Sequence, residues 1–352
     1  MNNAELSRER LDEIVGRFSD CRVAVLGDFF LDKYLEVDQS LEEISLETAL
    51  PAHQVVEIRF CPGAAGSVTS NLSSLGPREL HAIGFCGDDG EGFDLRRGLS
   101  DLGCSTDHLQ VVAHRMTPTY LKPRYAGDKT LNAEHSRYDT KNRQTTPVAI
   151  EDSIIDSLDA LLTRVDALVV MDQVDEANCG VVTDRVREVI AERAEAHPEV
   201  LFWADSRRRI HDFRRVIVKP NQFEALQIDS PSPEDEVDLD ELVETVGRIR
   251  DRNCAPVVVT RGPRGMVVSD PEWTLVPGVQ IAGEIDPTGA GDSASAGVVL
   301  SLCAGAQLPE AAVIGNLIAS ITVQQIATTG VARPEELPGR LEIWHEQRKS
   351  SI

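Results

Sequence analysis

The 352-residue sequence has no apolar run approaching the roughly 20 residues that a helix needs to cross a bilayer. Its opening stretch, MNNAELSRERLDEIVGRF, mixes acids and bases and lacks the hydrophobic segment of a signal peptide. A membrane span is therefore not expected, and the cytosol is the expected compartment. Positive charge is scarce: 35 Lys and Arg face 58 Asp and Glu, a net charge of −23. That balance argues against a nucleic-acid partner, because phosphate backbones reward cations. The seven cysteines (Cys21, Cys61, Cys86, Cys104, Cys179, Cys254 and Cys303) contain no CxxC pair and no histidine partners at zinc spacing, so free, buried thiols are expected. GxxxxGK[ST], HExxH and GxSxG are missing, and no GxGxxG follows the first strand. The common nucleotide-binding folds and hydrolases lose their strongest markers. There is no internal repeat and no low-complexity tail.

What is present is an apolar content of 41%, enough for a substantial core. Short β-type runs at 22–27, 80–85, 167–171, 200–204 and 215–219 alternate with helical patterns at 62–75, 91–102, 150–162, 179–196 and from 224 onward. This rhythm predicts an α/β fold with a central, mostly parallel sheet and helices on both faces. Two stretches, about 34–60 and 111–138, have extended character and no intervening helix (HQVVEIRF; TPTYLKPRY). They read as a small β flap, or lid, over the strand ends where α/β sheets bind ligands; irregular edge strands of the main sheet are the alternative. Val55, Ile58 and Phe60 suggest an apolar face on the flap, through which two chains would pair as a homodimer. Residues 309–326 form a last helix, packed deep.

The organising stretch is 283–306, GEIDPTGAGDSASAGVVLSLCAGA. A glycine-rich turn running into a helix aims backbone N–H groups and the positive end of the helix dipole at one point, which suits a phosphate. Asp292 beside such a turn repels an anion unless it has a task. One task is to accept the proton of a hydroxyl attacking a phosphoryl group; a helix cap is the plain alternative. The helix dipole is expected to keep Asp292 ionised.

Four other stretches hold candidate residues. Asp28 and Asp32 follow the first strand in GDFFLDKY, where carboxylates suit vicinal hydroxyls, although a turn or surface role explains either. CPGAAGSVTSN, with Gly63 and Ser67, permits close approach of a ligand or of another helix. In KPNQFEA, Asn221 and Glu224 lie three apart, placed to orient phosphate and hydrated Mg²⁺ or to cap a helix. VTRGPRG, with Thr260 and Gly262, ends a strand in a turn that cradles a nucleotide or merely closes a hairpin. Arg207, Arg208 and Arg209, with Arg214 and Arg215, form a basic cluster that reads as a solvated face or as a partner for a phosphorylated substrate.

In this order the pieces resemble the ribokinase, or PfkB-type, carbohydrate kinases over nearly the whole chain, which then forms a single kinase domain, 1–352. DPTGAGD is similar to the family's DTxGAGD, and GDFFLDKY, GAAGSVTSNLSSLG and GFCGDDGEG resemble segments of the heptose 7-phosphate kinases within it. The resemblance implies an ATP-dependent phosphotransferase for a sugar or sugar phosphate. Asp292 would be the base, and Gly289, Ala290 and Gly291 the anion hole. Asn221 and Glu224 would serve the phosphates and Mg²⁺, and Thr260, Gly262 and Asn316 the nucleotide. Asp28, Asp32, Gly63 and Ser67 would meet the acceptor, and Asp286 with the backbone near Thr288 would hold a monovalent cation such as K⁺. The sequence departs from the family at Ala64, Ser67, Asp205-Ser206-Arg207-Arg208 and Glu176, all on or near the acceptor side. A catalytically silent sugar- or nucleotide-binding protein is the rival. No HxGH motif is present, so a nucleotidyltransferase half is not expected.

Overall fold

Every second residue of the central strands faces the same helical layer, and that alternation divides the interior of the protein in two. The computed structural model describes residues 1–128, 130, 133–232, 235–326 and 330–350. After a two-residue strand β1 (Asn2–Asn3) and helix α1 (Arg8–Val15), the chain enters β2 (Arg22–Gly27). Asp28 alone separates β2 from β3 (Phe29–Ile44), which pairs with β4 (Pro51–Ala64) before α2 (Ala65–Leu75) begins. Then come β5 (Glu79–Gly87), α3 (Gly90–Asp101), β6 (Cys104–Val112), β7 (Thr119–Tyr125) and β8 (Tyr138–Thr140). The next units are α4 (Val148–Leu162) with β9 (Ala167–Asp172), α5 (Asp184–Ala196) with β10 (Leu201–Ser206), and β11 (Ile217–Val218). A four-residue α6 (Gln222–Ala225) and α7 (Leu239–Asn253) precede the short strands β12 (Val258–Thr260), β13 (Met266–Val268) and β14 (Thr274–Val276). Helices α8 (Ala290–Cys303), α9 (Leu308–Thr322) and α10 (Leu337–Ser350) end the described chain.

The main sheet has the order β11-β10-β9-β2-β5-β6, with every pairing parallel. Val23, Val25, Val169 and Met171 pack with α2, α8 and α9 on one face, whereas Ala24, Leu26, Leu168 and Val170 pack with α4, α5 and α7 on the other. Strands buried on both faces read as continuous apolar runs, which is why RVAVLG and ALVVM stand out in the sequence. Each fully buried Leu or Val contributes about 1.5–3 kcal/mol, so these two layers dominate the stability. No helix among the described residues is long and apolar enough to cross a membrane.

A second sheet, β4-β3-β7-β8, rises directly from the carboxyl edge of the first, since β3 continues from β2 through Asp28. Its strands are longer than the flap expected from 34–60 and 111–138: β3 and β4 carry the hairpin down to Phe29 and Ala64, and residues 111–112 end β6 in the main sheet. For the same reason α2 starts at Ala65 rather than at 62, and α5 starts at Asp184 because the Val181 amide is tied to Asp28 and Thr183 caps the helix by accepting the Val186 amide. A third small sheet, β1-β14-β13-β12, continues the main one through bridges at Val218–Val257 and Asn221–Thr260.

The turn after β12 shows how tightly that third sheet is closed. Gly265 has φ +86, and a Cβ there would overlap the Val276 carbonyl oxygen, whereas Gly262, at φ +56, faces open space. Gly262→Ala is expected to cost about 1–2 kcal/mol, the ordinary price of a left-handed L-residue. Gly265→Ala should cost about 3 kcal/mol or more, because strain and overlap add. Urea unfolding of the two variants checks the difference.

Candidate active site

The carboxyl edge of the main sheet, the base of the second sheet and the N-terminus of α8 meet at one crevice, where Asp205, Asp32 and Asp292 influence one another. Asp28, at the end of β2, has its carboxylate already engaged. Oδ1 accepts the Val181 amide at 2.7 Å, and Oδ2 accepts those of Gln173 at 2.8 Å and Val174 at 3.2 Å. Burial and the neighbouring Asp172 push its carboxyl up to about 6, against the pull of these amides. Asp28 thus ties the loop after β9 to the end of β2. Three amides fill most of its lone pairs, so a backbone-holding role stands beside the expected one toward acceptor hydroxyls.

Asp32 is in the better position. It is buried on β3, its Oδ1 lies 3.2 Å from Lys122 Nζ on β7, and that nitrogen donates to Tyr34 Oη at 3.4 Å. The antiparallel register sets Gly63 on β4 against Phe30, next to Asp32, and a Cβ on Gly63 would come within 3.0 Å of Asp32 Oδ2. Ser67 is buried in the first turn of α2. The fold thus brings Asp32 and Gly63 together and adds Lys122, which reads in sequence only as part of an alternating strand.

At the N-terminus of α8, Gly289 is the cap residue in the left-handed region, at φ +77, with Ala290, Gly291 and Asp292 in the first turn. No side chain caps this helix, so the capping alternative for Asp292 falls away. The Ala290 amide donates to Pro287 O at 3.1 Å and is therefore not open to a ligand. Among the described residues the amides of Gly289, Gly291 and Asp292 have no backbone acceptor, so the anion-binding donors sit around Ala290 rather than on it. Burial, with Asp205 beside it, pushes the Asp292 carboxyl up to about 7; Lys219 pulls the other way and Asp32 adds to the rise. The helix dipole was expected to keep this acid fully ionised, but removal from water and two carboxylates outweigh it.

Lys219 was not singled out in the sequence, and Asp205 only as a departure from the family near the acceptor side. The parallel register pairs Ala204 with Val218, so the next residues on each strand stand side by side. Lys219 Nζ is 2.7 Å from Asp205 Oδ2, with side chains 4% and 11% exposed. The same nitrogen lies 3.4 Å from where a Cβ on Gly291 would be. The available signal was a lysine directly after an apolar strand, at the buried carboxyl edge.

On the other flank, Asn221 and Glu224 form a complete capping box. Asn221 Oδ1 accepts the amides of Phe223 at 2.8 Å and Glu224 at 2.9 Å, and Glu224 Oε2 accepts the Asn221 amide at 2.7 Å. Capping takes one oxygen of Glu224 and leaves the other for a ligand. Burial and Asp205 push the Glu224 carboxyl up to about 7, with Lys219 opposing. Among the described residues no three His, Cys, Asp or Glu side chains converge to hold a metal by themselves. The one Glu224 oxygen left open is compatible with a hydrated Mg²⁺ shared with phosphates, which asks for only one or two carboxylates. Thr260 donates its amide to Pro220 O at 3.0 Å and bridges Asn221, which joins the two motifs, with Gly262 opening the following turn. Asn316 on α9 stands behind them, its Nδ2 donating to Val276 O at 3.2 Å and Pro277 O at 3.3 Å. Asp286 is buried and accepts the Thr288 amide at 3.0 Å. Of the basic cluster, Arg209 pairs with Asp172 at 2.7 Å, while Arg207 and Arg208 lie 3.5 and 3.4 Å from Asp175.

Comparison with known proteins gives the family and the fold. Residues 23–335 match the pfkB family of carbohydrate kinases. The bifunctional protein HldE of Azorhizobium caulinodans is 28% identical over 89% of this chain, and that of Stutzerimonas stutzeri is 29% identical over 91%. In both cases the chain spans 63% of the relative's length. Among solved structures, Arabidopsis thaliana ribokinase complexed with ribose and ATP superposes with a TM-score of 0.65 at 15% identity, covering 92% of this chain and 99% of that one. Escherichia coli phosphofructokinase-2 in complex with potassium gives 0.67 at 16% identity, with the same coverage. A match over nearly all of the chain, on a fold shared with ribokinase and phosphofructokinase-2, shows that this protein belongs to the pfkB family of carbohydrate kinases.

Proposed function

We propose that the protein transfers the γ-phosphoryl group of ATP to a hydroxyl of a sugar or sugar phosphate, with Asp292 as the proton acceptor. The observation that carries this reading is the position of Asp292: one residue beyond open helix-terminal amides, and close enough to Asp32 for the two carboxylates to affect each other. The acceptor hydroxyl would lie between Asp32 and Asp292. Its oxygen bonds to the γ-phosphorus as the bond to the ADP oxygen breaks, and its proton passes to an Asp292 oxygen. A carboxylate of raised basicity suits a base working near neutral pH. The Gly289, Gly291 and Asp292 amides hold the transferring group, Asn221, Thr260, Gly262 and Asn316 flank the nucleotide, and Asp32, Gly63 and Ser67 shape the acceptor side. Mg²⁺, when bound near Glu224, supplies positive charge to the phosphates. Asp286 and the backbone near Thr288 are the proposed seat of a monovalent cation. Likeness to the HldE proteins favours a heptose-like acceptor. The chain acts as one kinase domain in the cytoplasm, the sheet of β3, β4, β7 and β8 closing as a lid over the crevice.

The lid also supports self-association. Val55, Val56 and Ile58 on β4 are 42%, 52% and 55% exposed. Phe60 is half-buried beneath the Arg97 guanidinium, so the pairing surface sits further out along β4 than Phe60. Exposed apolar side chains clustered on the edge strand of a sheet are a candidate interaction site.

A coupled ADP-release assay across sugars, sugar phosphates and nucleosides should find one class of acceptor. In Asp292→Asn, turnover should fall by about 10²–10⁴-fold with the fold intact; undiminished turnover would exclude Asp292 as the base. In the wild type kcat/KM should fall about tenfold per pH unit below about 7, as Asp292 takes up its proton. Stability should run the other way. The folded chain holds this proton above the ordinary value of 3.8, so the contribution of Asp292 to stability is fully present below 3.8 and is lost as pH rises through about 7. Asp292→Asn, which never becomes charged, should melt above wild type at pH 8 and show no such gain at pH 4. Sedimentation at micromolar concentration should give a dimer, and Ile58→Glu a monomer; a monomeric wild type would remove the lid interface.

A further inference from the structure

Proton transfer as described gives no part to Lys219, the buried cation beside the α8 turn. Lys219 follows β11 directly, and its amide donates to Ala204 O at 2.9 Å, which fixes the backbone one residue from Asp205. Its side chain is 4% exposed and its nitrogen is 2.7 Å from Asp205 Oδ2. A buried ion pair is a poor device for stability, because desolvation of both charges offsets their attraction and two apolar residues would do as well. Its location suggests another use. An ammonium group has three donors, and Asp205 is the one ion-pair partner of Lys219 among the described residues. The nitrogen lies against Gly291, 3.4 Å from the point a Cβ would occupy, on the turn whose Gly291 and Asp292 amides are open. The groups facing it are Asp205 from β10, Asp292 from α8 and Glu224 from α6, with Asp32 of the lid facing Asp292. The other cations are engaged elsewhere: Lys122 lies 3.2 Å from Asp32, and Lys141, Arg207 and Arg208 lie 3.4, 3.5 and 3.4 Å from Asp175.

We propose that Lys219, held in place by Asp205, is a further catalytic residue of this site. Its ammonium group joins the amides of Gly291 and Asp292 in binding the oxygens of the phosphoryl group in transit. Asp205 is the positioning residue. Lys219 keeps its proton throughout and forms no covalent bond; it acts because negative charge on the transferring group is met by a fixed cation in a site of low polarity. The inference rests on the kinase reading of the preceding section.

The test needs no knowledge of the acceptor. ADP with Mg²⁺ and aluminium fluoride, a mimic of the phosphoryl group in transit, is compared with ADP and Mg²⁺ alone by calorimetry. Wild type should bind the fluoride complex more tightly than ADP. Lys219→Met should lose that gain by about 10²-fold, as expected for removal of one such donor, while its affinity for ADP is unchanged. Either Lys219→Met or Asp205→Asn alone strands a buried partner and should lower the melting temperature. The double variant leaves no charge behind and should regain stability without regaining the fluoride gain. With a working acceptor, kcat should fall in the double variant while the acceptor KM holds. A fluoride gain of wild-type size in Lys219→Met, or recovered kcat in the double variant, would overturn the inference and leave the kinase reading standing. A wild type that binds ADP but gains nothing from the fluoride would overturn both.

Discussion

The removal of one carboxylate from water governs the site. Asp292 sits where a helix N-terminus, the end of a parallel sheet and the base of a second sheet meet, and burial there pushes its carboxyl up to about 7. In the open such an acid would be too weak a base to matter and too exposed to keep water from the transferring group. Closing it into the crevice raises its basicity but brings Asp205 and Asp32 close to it, and two further carboxylates are tolerable only with a cation nearby. Lys219, 2.7 Å from Asp205, supplies that charge. The stability lost by burying Asp292 is repaid by the two apolar layers on either side of the sheet.

The topology is what permits this concentration of charge. Parallel strands end their carboxyl edges together, so Asp28, Asp172, Asp205 and Lys219 all follow or close apolar strands at one rim. The four do different work there. Asp28 and Asp172 hold backbone and Arg209, and so rigidify the rim, whereas Asp205 and Lys219 face the α8 turn. Because β3 continues from β2 with one residue between, the second sheet that carries Asp32 is joined to the main sheet directly through Asp28.

Much of this was legible in the amino-acid order, and what was not has a common cause. The apolar runs of the central strands and the GAGD turn declare themselves locally, since burial on both faces and a left-handed Gly289 demand particular residues in succession. The second sheet was legible as an interruption of rhythm, but its true extent was not, because the ends of β3 and β4 are set by pairing between residues up to 35 apart in sequence, from Phe29 to Ala64. Asp28 looked like a ligand-binding acid because nothing local reveals three amides arriving from residues 173–181. Lys219 and Lys122 escaped notice because their roles depend on neighbours on adjacent strands, Asp205 and Asp32. The capping box at Asn221 and Glu224 was readable from spacing alone, since it is closed within four residues.

The account stands on Asp292 titrating near neutrality for the reasons given. The most direct measurement is a pH titration of the Asp292 carboxyl carbon by NMR in protein labelled at the aspartate γ-carbon, with Asp292→Asn supplying the assignment. A midpoint at about 7, moving down when Asp205 is replaced by asparagine, is the predicted result. A midpoint at the ordinary value of 3.8, indifferent to Asp205, would contradict it.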